Sequence, residues 1–296
     1  MLKSRTTWGG DKPEIYERSF ASMCAGAIPF ILRAAAPGIF ADVGCGAGHL
    51  SQAAASWGAQ VVALDAEAQM IELTRRRCAG SSVTATVASL PDLAGVERDA
   101  ADTVACSFVL NHLTDPVASM TALVSLAHPG GRIITTLWPA TYTAHRSITT
   151  SVMDRAGATR SNADQPHPTP AGRRPLGSAT GIIRGVMDEL RIADLPSPKA
   201  HFEHSPRGLA ELTARAGLHV DTATIISWTW QIPWENYLEG IRGGIAGVGE
   251  RYQRQEESVR REIDAKLLEA MIPYGAPGLL RLPCHAAFCV ASKPKK

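Results

Sequence analysis

The sequence is short of the features that mark nucleic-acid binders, membrane proteins and disulfide scaffolds. Its formal charge over 296 residues is only +2. No basic stripe stands out, so the electrostatic footprint of a nucleic-acid partner is missing. No apolar run is long enough to span a bilayer. The longest, Cys24 to Pro37, contains Arg33 and Pro29. The first residues lack the apolar stretch of a secretion signal. Six cysteines are scattered with no C-x-x-C pair, which argues against disulfides and zinc and leaves a reducing cytoplasm as the expected setting. Lys293, Lys295 and Lys296 read as a solvated tail. No internal repeat or heptad pattern appears.

What is present is apolar content and a glycine turn. With 45% hydrophobic residues, a chain this long can bury roughly three quarters of its unfolded surface. Ile39-Phe40-Ala41 is a short buried-strand run ending in Asp42, followed by Gly44, Gly46 and Gly48 and a helical segment, His49 to Trp57. Glycines there allow left-handed dihedrals and let a ligand lie against the backbone. A nicotinamide fingerprint, G-x-G-x-x-G, would need glycine at His49. The spacing is D-x-G-x-G-x-G instead. About twenty residues on, Gln60 to Leu64 forms a second apolar run ending in Asp65. An acidic group there suits both hydroxyls of a ribose.

Val83 to Val87 and Thr103 to Ser107 continue as strands, then Leu110-Asn111-His112-Leu113-Thr114-Asp115-Pro116, then Pro129-Gly130-Gly131 leading into Arg132 to Thr135. Strands alternating with helical segments predict a parallel sheet covered on both faces. The acidic-glycine turn, the distal Asp65, the N-H-L-x-D-P run and the P-G-G turn together resemble the class I S-adenosylmethionine (SAM) methyltransferases. The resemblance is to the small-molecule type related to quinone-biosynthesis and natural-product enzymes. It is clear from Ile39 to Leu137, weaker after Pro206 and absent between. It implies an α/β, doubly wound, Rossmann-like sheet of seven strands. The last of these, Leu282 to Ala291, would run antiparallel, and a helical substrate cap would cover the site. It implies SAM as cofactor, held by Asp42, Gly44, Gly46, Gly48, Asp65, Met70, Ser89, Leu90, Ser107 and Asn111. One departure is plain: Ala88-Ser89-Leu90-Pro91 carries no carboxylate where the family usually holds the adenine amino group.

The expected organisation is N-terminal cap helices over 1–36, a SAM-binding core over 37–137, a cap or lid insertion over 138–206, and completion of the core over 207–296. Lys12 to Arg33 reads as helix divided at Pro29. Helices are also expected over Thr143 to Ala156 and Ile182 to Leu190, with a proline-rich loop over Gly157 to Ser178. A further helix after Ser205-Pro206 should end at Gly217. Glu250 to Met271 should bury Val259, Ile263, Leu267 and Ala270. Asp99 and Asp102 are expected to bound the loop before strand four.

Substrate contacts are expected from Tyr16, Trp138, Tyr142, Trp228 and Trp230. Tyr16 serves equally well as a packing residue. One of Trp228, Trp230 and Trp234 belongs in the core. Methyl transfer is an in-line displacement for which placement of the acceptor supplies much of the rate, with a base needed only where the acceptor loses a proton. His112 is the first candidate base and His145 the second; packing or surface roles suit both. His201 and His204 have metal-like spacing but no third ligand, so no metal is expected. The expected partner is a small-molecule acceptor, with no nucleic acid and no membrane, and the oligomeric state, including a homodimer, stays open. The alternatives are a SAM-binding enzyme that does not methylate, such as a cyclase, and a nicotinamide oxidoreductase.

Overall fold

A computed structural model of the chain describes residues 10–139, 181–193 and 202–295. The expected helix over Thr143 to Ala156, the loop over Gly157 to Ser178, and Tyr142, His145 and His201 lie outside these residues.

Seven strands form one sheet among the described residues, in the order β3-β2-β1-β4-β5-β7-β6. They are β1 (Ile39–Val43), β2 (Gln60–Asp65), β3 (Val83–Val87), β4 (Ala101–Ser107), β5 (Ala127–Leu137), β6 (His219–Pro233) and β7 (Leu279–Ser292). The first five pair in parallel, and β7 runs antiparallel to both β5 and β6. The doubly wound architecture and its antiparallel last strand are as expected. Because β1 pairs with β2 on one side and β4 on the other, the strand order reverses between β1 and β4. Ligands bind at such a switch, outside the carboxyl ends of the strands.

Two apolar layers flank the sheet. On one face α3 (Ile28–Ala34), α4 (His49–Ser56) and α5 (Ala68–Arg77) bury Ile31, Leu50, Ala54 and Ile71 against Phe40, Val61 and Ala63. On the other, α6 (Pro116–Leu126) and α8 (Pro206–Arg215) bury Met120, Leu123, Leu209 and Leu212 against Val104 and Ile133. Asp115 caps α6 through the Ala118 N–H, and Ser205 caps α8 through Gly208, each with proline at the start of the helix. Gly217, at φ +82°, lies just past the end of α8 as anticipated.

Strand six is long, His219 to Pro233. It pairs with β7 out to Pro233, whereas β5 pairs with β7 only as far as Leu137–Ala287. Residues 226–233 and 279–286 therefore project past β5 as a two-stranded ribbon. A third apolar cluster forms on it. It unites Ile15 of α1 (Lys12–Arg18), Met23 of α2 (Ala21–Ala25), Ile183 of α7 (Gly181–Glu189), Tyr237 of α9 (Trp234–Arg242), Tyr252 of α10 (Ala246–Gln253) and Leu267 of α11 (Glu257–Met271) with Trp230 and Leu282. The helices between β6 and β7 thus build a body of their own on the ribbon. Glu250 to Gln253, expected at the start of the long helix, ends α10, and α11 begins at Glu257. Its buried face includes Ile263, Leu267 and Met271, with Val259 and Ala270 partly buried.

Three further expectations are corrected. The N-terminal helical stretch breaks at Ser19 and Gly26, and Pro29 opens α3, where its missing N–H costs nothing. Asp102 lies within β4 and accepts the Ile39 N–H at 2.7 Å, pinning the start of β1. Lys293 is no solvated tail: it reaches Asp99 at 2.6 Å and the carbonyls of Val124 and Ala127.

Candidate functional site

The site begins at the end of β1. Gly44, Gly46 and Gly48 all adopt left-handed φ, +79°, +54° and +81°. The Leu64 carbonyl accepts from both Gly44 and Cys45, at 2.7 and 2.9 Å, which turns the chain sharply over the end of β2. Three side chains at the end of α5, spaced i, i+3 and i+4 on one face, then take the next three carbonyls. Thr74 Oγ1 donates to Gly46 at 2.9 Å, Arg77 Nε to Ala47 at 2.7 Å and Cys78 Sγ to Gly48 at 3.9 Å. No side chain caps the α4 helix that follows. The space beside Gly46 is open, with Tyr16 Cε1 at 3.8 Å the nearest atom to a hypothetical Cβ.

Two carboxylates flank this turn. Asp42 is buried and accepts the Ser51 hydroxyl at 2.6 Å. Burial, aided by the neighbouring Asp65 and opposed by Ser51, pushes its carboxyl up to about 7. Asp65 accepts the Gly46 N–H and the Glu67 N–H, each at 2.9 Å. Burial raises its carboxyl, while N–H bonds from Glu67, Gly46 and Ala66 pull the other way. His49, where a nicotinamide fingerprint would place glycine, is pushed down to about 4 by burial and by the Arg77 charge.

The segment after β4 closes the opposite side. A Cβ on Gly44 would stand 2.3 Å from Val109 Cγ2, so this segment packs directly on the turn. Asn111 and His112 follow in a short 3₁₀ turn, with Asn111 Nδ2 3.2 Å from His112 Nε2. Asn111 Oδ1 is buried without a hydrogen-bond partner. An orphaned acceptor of this kind costs free energy and fits a bound donor such as an ammonium group. Ser107 is instead engaged with Thr136 at 2.8 Å. Met70 is buried with Leu73 and Ala47 under Tyr16. At the far side of β2, Ser89 is exposed and Leu90 half-buried, and the Ser89 hydroxyl turns onto the Leu90 carbonyl.

An aromatic group stands next to this segment. Phe108, at φ +59°, stacks on Trp138 with ring centroids 4.1 Å apart, and Trp228 tilts against both at 6.3 and 5.9 Å. Trp228 packs directly on Gly26, where any Cβ would meet the indole Nε1 at 2.0 Å, and donates to the Met23 carbonyl. Trp230 faces the same way, as alternation requires, but is only 2% exposed, among Phe20 and Tyr237, with its N–H on Ser22. It is the core tryptophan of the three. Sequence reasoning missed Phe108, Thr74, Arg77 and Thr136. The spacing of Thr74, Arg77 and Cys78 was the available signal for two of these. Among the described residues no group of three His, Cys, Asp or Glu side chains could hold a metal ion.

Residues 41–135 match the family model described as "Methyltransferase domain". Over 104 residues the chain is 41% identical to a ubiquinone biosynthesis O-methyltransferase of Xanthomonas campestris pv. campestris (strain B100). That match covers 34% of this chain and 44% of the relative. A protein of the same description from Xanthomonas euvesicatoria pv. vesicatoria (strain 85-10) is 40% identical over 94 residues, covering 31% of this chain and 39% of the relative. The chain thus spans less than half the length of these curated relatives. In solved structures the likeness extends to the whole fold. A protein assigned as a type II methyltransferase, from Anaeromyxobacter dehalogenans, gives a TM-score of 0.56 at 19% identity, covering 92% of this chain and 97% of the other.

Proposed function

We propose that this chain, whose residues 41–135 match a methyltransferase-domain family model, is a class I enzyme that transfers a methyl group from SAM to a small, planar, quinone-like acceptor. The observation that carries the reading is the junction of the left-handed glycine turn with Asp65 and the orphaned Asn111 oxygen at the strand switch. Those residues fit SAM chemically. Asp65 has acceptor capacity left for ribose hydroxyls, since each carboxylate oxygen can take more than one N–H or O–H. Asn111 Oδ1 would accept from the amino-acid ammonium, and Met70 supplies an apolar floor.

When bound, SAM supplies an electrophilic methyl. The chain's own residues do the rest by placing the acceptor and excluding water. Phe108, Trp138 and Trp228 would take the ring of the acceptor. His112 would hold the acceptor's proton. Asn111 Nδ2 lies 3.2 Å from His112 Nε2, which ties the imidazole to the segment that closes the site. The nicotinamide and non-methylating alternatives find no support in the relatives. No helix among the described residues is long and apolar enough to cross a membrane. The reading extends to a cytoplasmic enzyme of quinone or secondary metabolism acting without nucleic acid.

The test is incubation with SAM and a panel of phenols, catechols and quinols, read by mass. Gain of one methyl on an acceptor together with stoichiometric S-adenosylhomocysteine supports the reading. Conversion of an acceptor without methylation would contradict it. His112→Ala should lower kcat by about 10²- to 10⁴-fold on a phenolic acceptor, the range of a general base. An unchanged kcat would remove His112 from the chemistry.

A further inference from the structure

The first helix α1 stands between the glycine turn and the ribbon-borne helices, and one arginine joins them. Arg77 uses Nε on the Ala47 carbonyl at 2.7 Å and its terminal NH2 group on Glu17 of α1 at 2.6 Å. The pair is only 21% and 33% exposed. Tyr16, the neighbour of Glu17, is the residue over Gly46. On its other side α1 pairs Arg18 with Glu239 of α9 at 2.6 Å, and Asn236 of α9 donates to the Arg18 carbonyl. Ile15 enters the ribbon cluster. An arginine can make both bonds because its guanidinium presents a rigid fork; a lysine ammonium cannot hold the same two acceptors in one plane.

We infer that Arg77 is a positioning residue, locking α1 and Tyr16 over the cofactor turn through Glu17 and thereby coupling cofactor binding to the docking of the ribbon-borne helices. This rests on the reading of the turn as a SAM site. The neighbouring pair Arg76–Glu14, at 3.4 Å and 64% and 42% exposed, is a surface contact of little worth and serves as the control.

The experiment is calorimetric titration of S-adenosylhomocysteine into the full chain and its variants, at low and high salt. Glu17→Gln keeps the Arg77–Ala47 bond and removes only the clasp. It should weaken binding about two- to fivefold at low salt, the size of a half-exposed ion pair. The gap should close near 1 M salt, where the screening length falls to about 3 Å. Its unliganded melting temperature should fall by no more than about 4 °C, the effect of losing one such ion pair. Glu14→Gln should bind as wild type does. Arg77→Gln should lose more, since the Ala47 carbonyl loses its donor, and adding Glu17→Gln to it should cost nothing further. Wild-type affinity for Glu17→Gln, or the same loss from it on both backgrounds, overturns the clasp. Failure of wild type itself to bind overturns the cofactor reading beneath it, so the two failures are distinguishable. Should Arg77→Gln not fold, the salt dependence of Glu17→Gln decides alone.

Discussion

In the proposed complex Asp65 serves both the turn and the cofactor with one carboxylate. It fixes the Gly46 N–H and, in the proposed complex, receives the ribose. Asp65→Ala should therefore weaken S-adenosylhomocysteine binding by about 10- to 100-fold, the range for hydrogen bonds to a charged group. Retained affinity in a calorimetric titration would place the ribose elsewhere. Asp42 is the inward carboxyl and answers to pH. Its folded value of about 7 lies above the roughly 3.9 of an unfolded aspartate. The native state thus holds a proton that the unfolded chain has released. This group's stabilisation is complete below about pH 4 and is lost as pH rises through about 7, each tenfold difference in proton affinity being worth about 1.4 kcal/mol. Asp42→Asn carries no such proton. Its unliganded melting temperature should gain on wild type from about pH 4 upward, with the gap complete a little above pH 7. A constant difference across that range would show that Asp42 is not held protonated.

At the scale of elements, the glycine turn is a backbone device locked by a neighbouring helix. A Cβ on Gly48 would lie 2.9 Å from Thr74 Oγ1 and 3.0 Å from its Cα, on top of the strain of φ +81°. Gly48→Ala should cost about 1–3 kcal/mol of stability and abolish cofactor binding by prising α5 off the turn. Gly80→Ala, also at positive φ but facing open space, should lose stability alone. Equal effects on binding at the two sites would refute the locking. The turn was legible because its order of acid and glycines is local: dihedrals and close approach act within a few residues. Phe108 was not, because nothing in Ser107-Phe108-Val109 announces a left-handed phenylalanine, and its partners Trp138, just past β5, and Trp228 of β6 are distant in sequence. Trp228 and Trp230 share one face of β6 by alternation. What separates them, Gly26 under Trp228 and Tyr237 beside Trp230, comes from far off in sequence.

For the whole molecule, the alternation of strands and helices gave the doubly wound sheet and its antiparallel last strand, since each strand is marked by its own apolar run. The extent of the β6–β7 ribbon was hidden. Residues 226–233 are half-polar and continue as strand only because 279–286 pair with them. The helices of 234–271 are amphipathic in sequence, but nothing local distinguishes packing on the sheet from packing on a ribbon. The resulting molecule has a left-handed glycine turn at the strand switch and a second apolar body on the ribbon, with α1 between them. Calorimetric titration of the full chain with SAM and S-adenosylhomocysteine, beside NADH, tests this account most directly. Saturable binding of both SAM species, with none of NADH, is the predicted result. Binding of NADH with neither SAM species would contradict the assignment of the glycine turn, and with it the reaction.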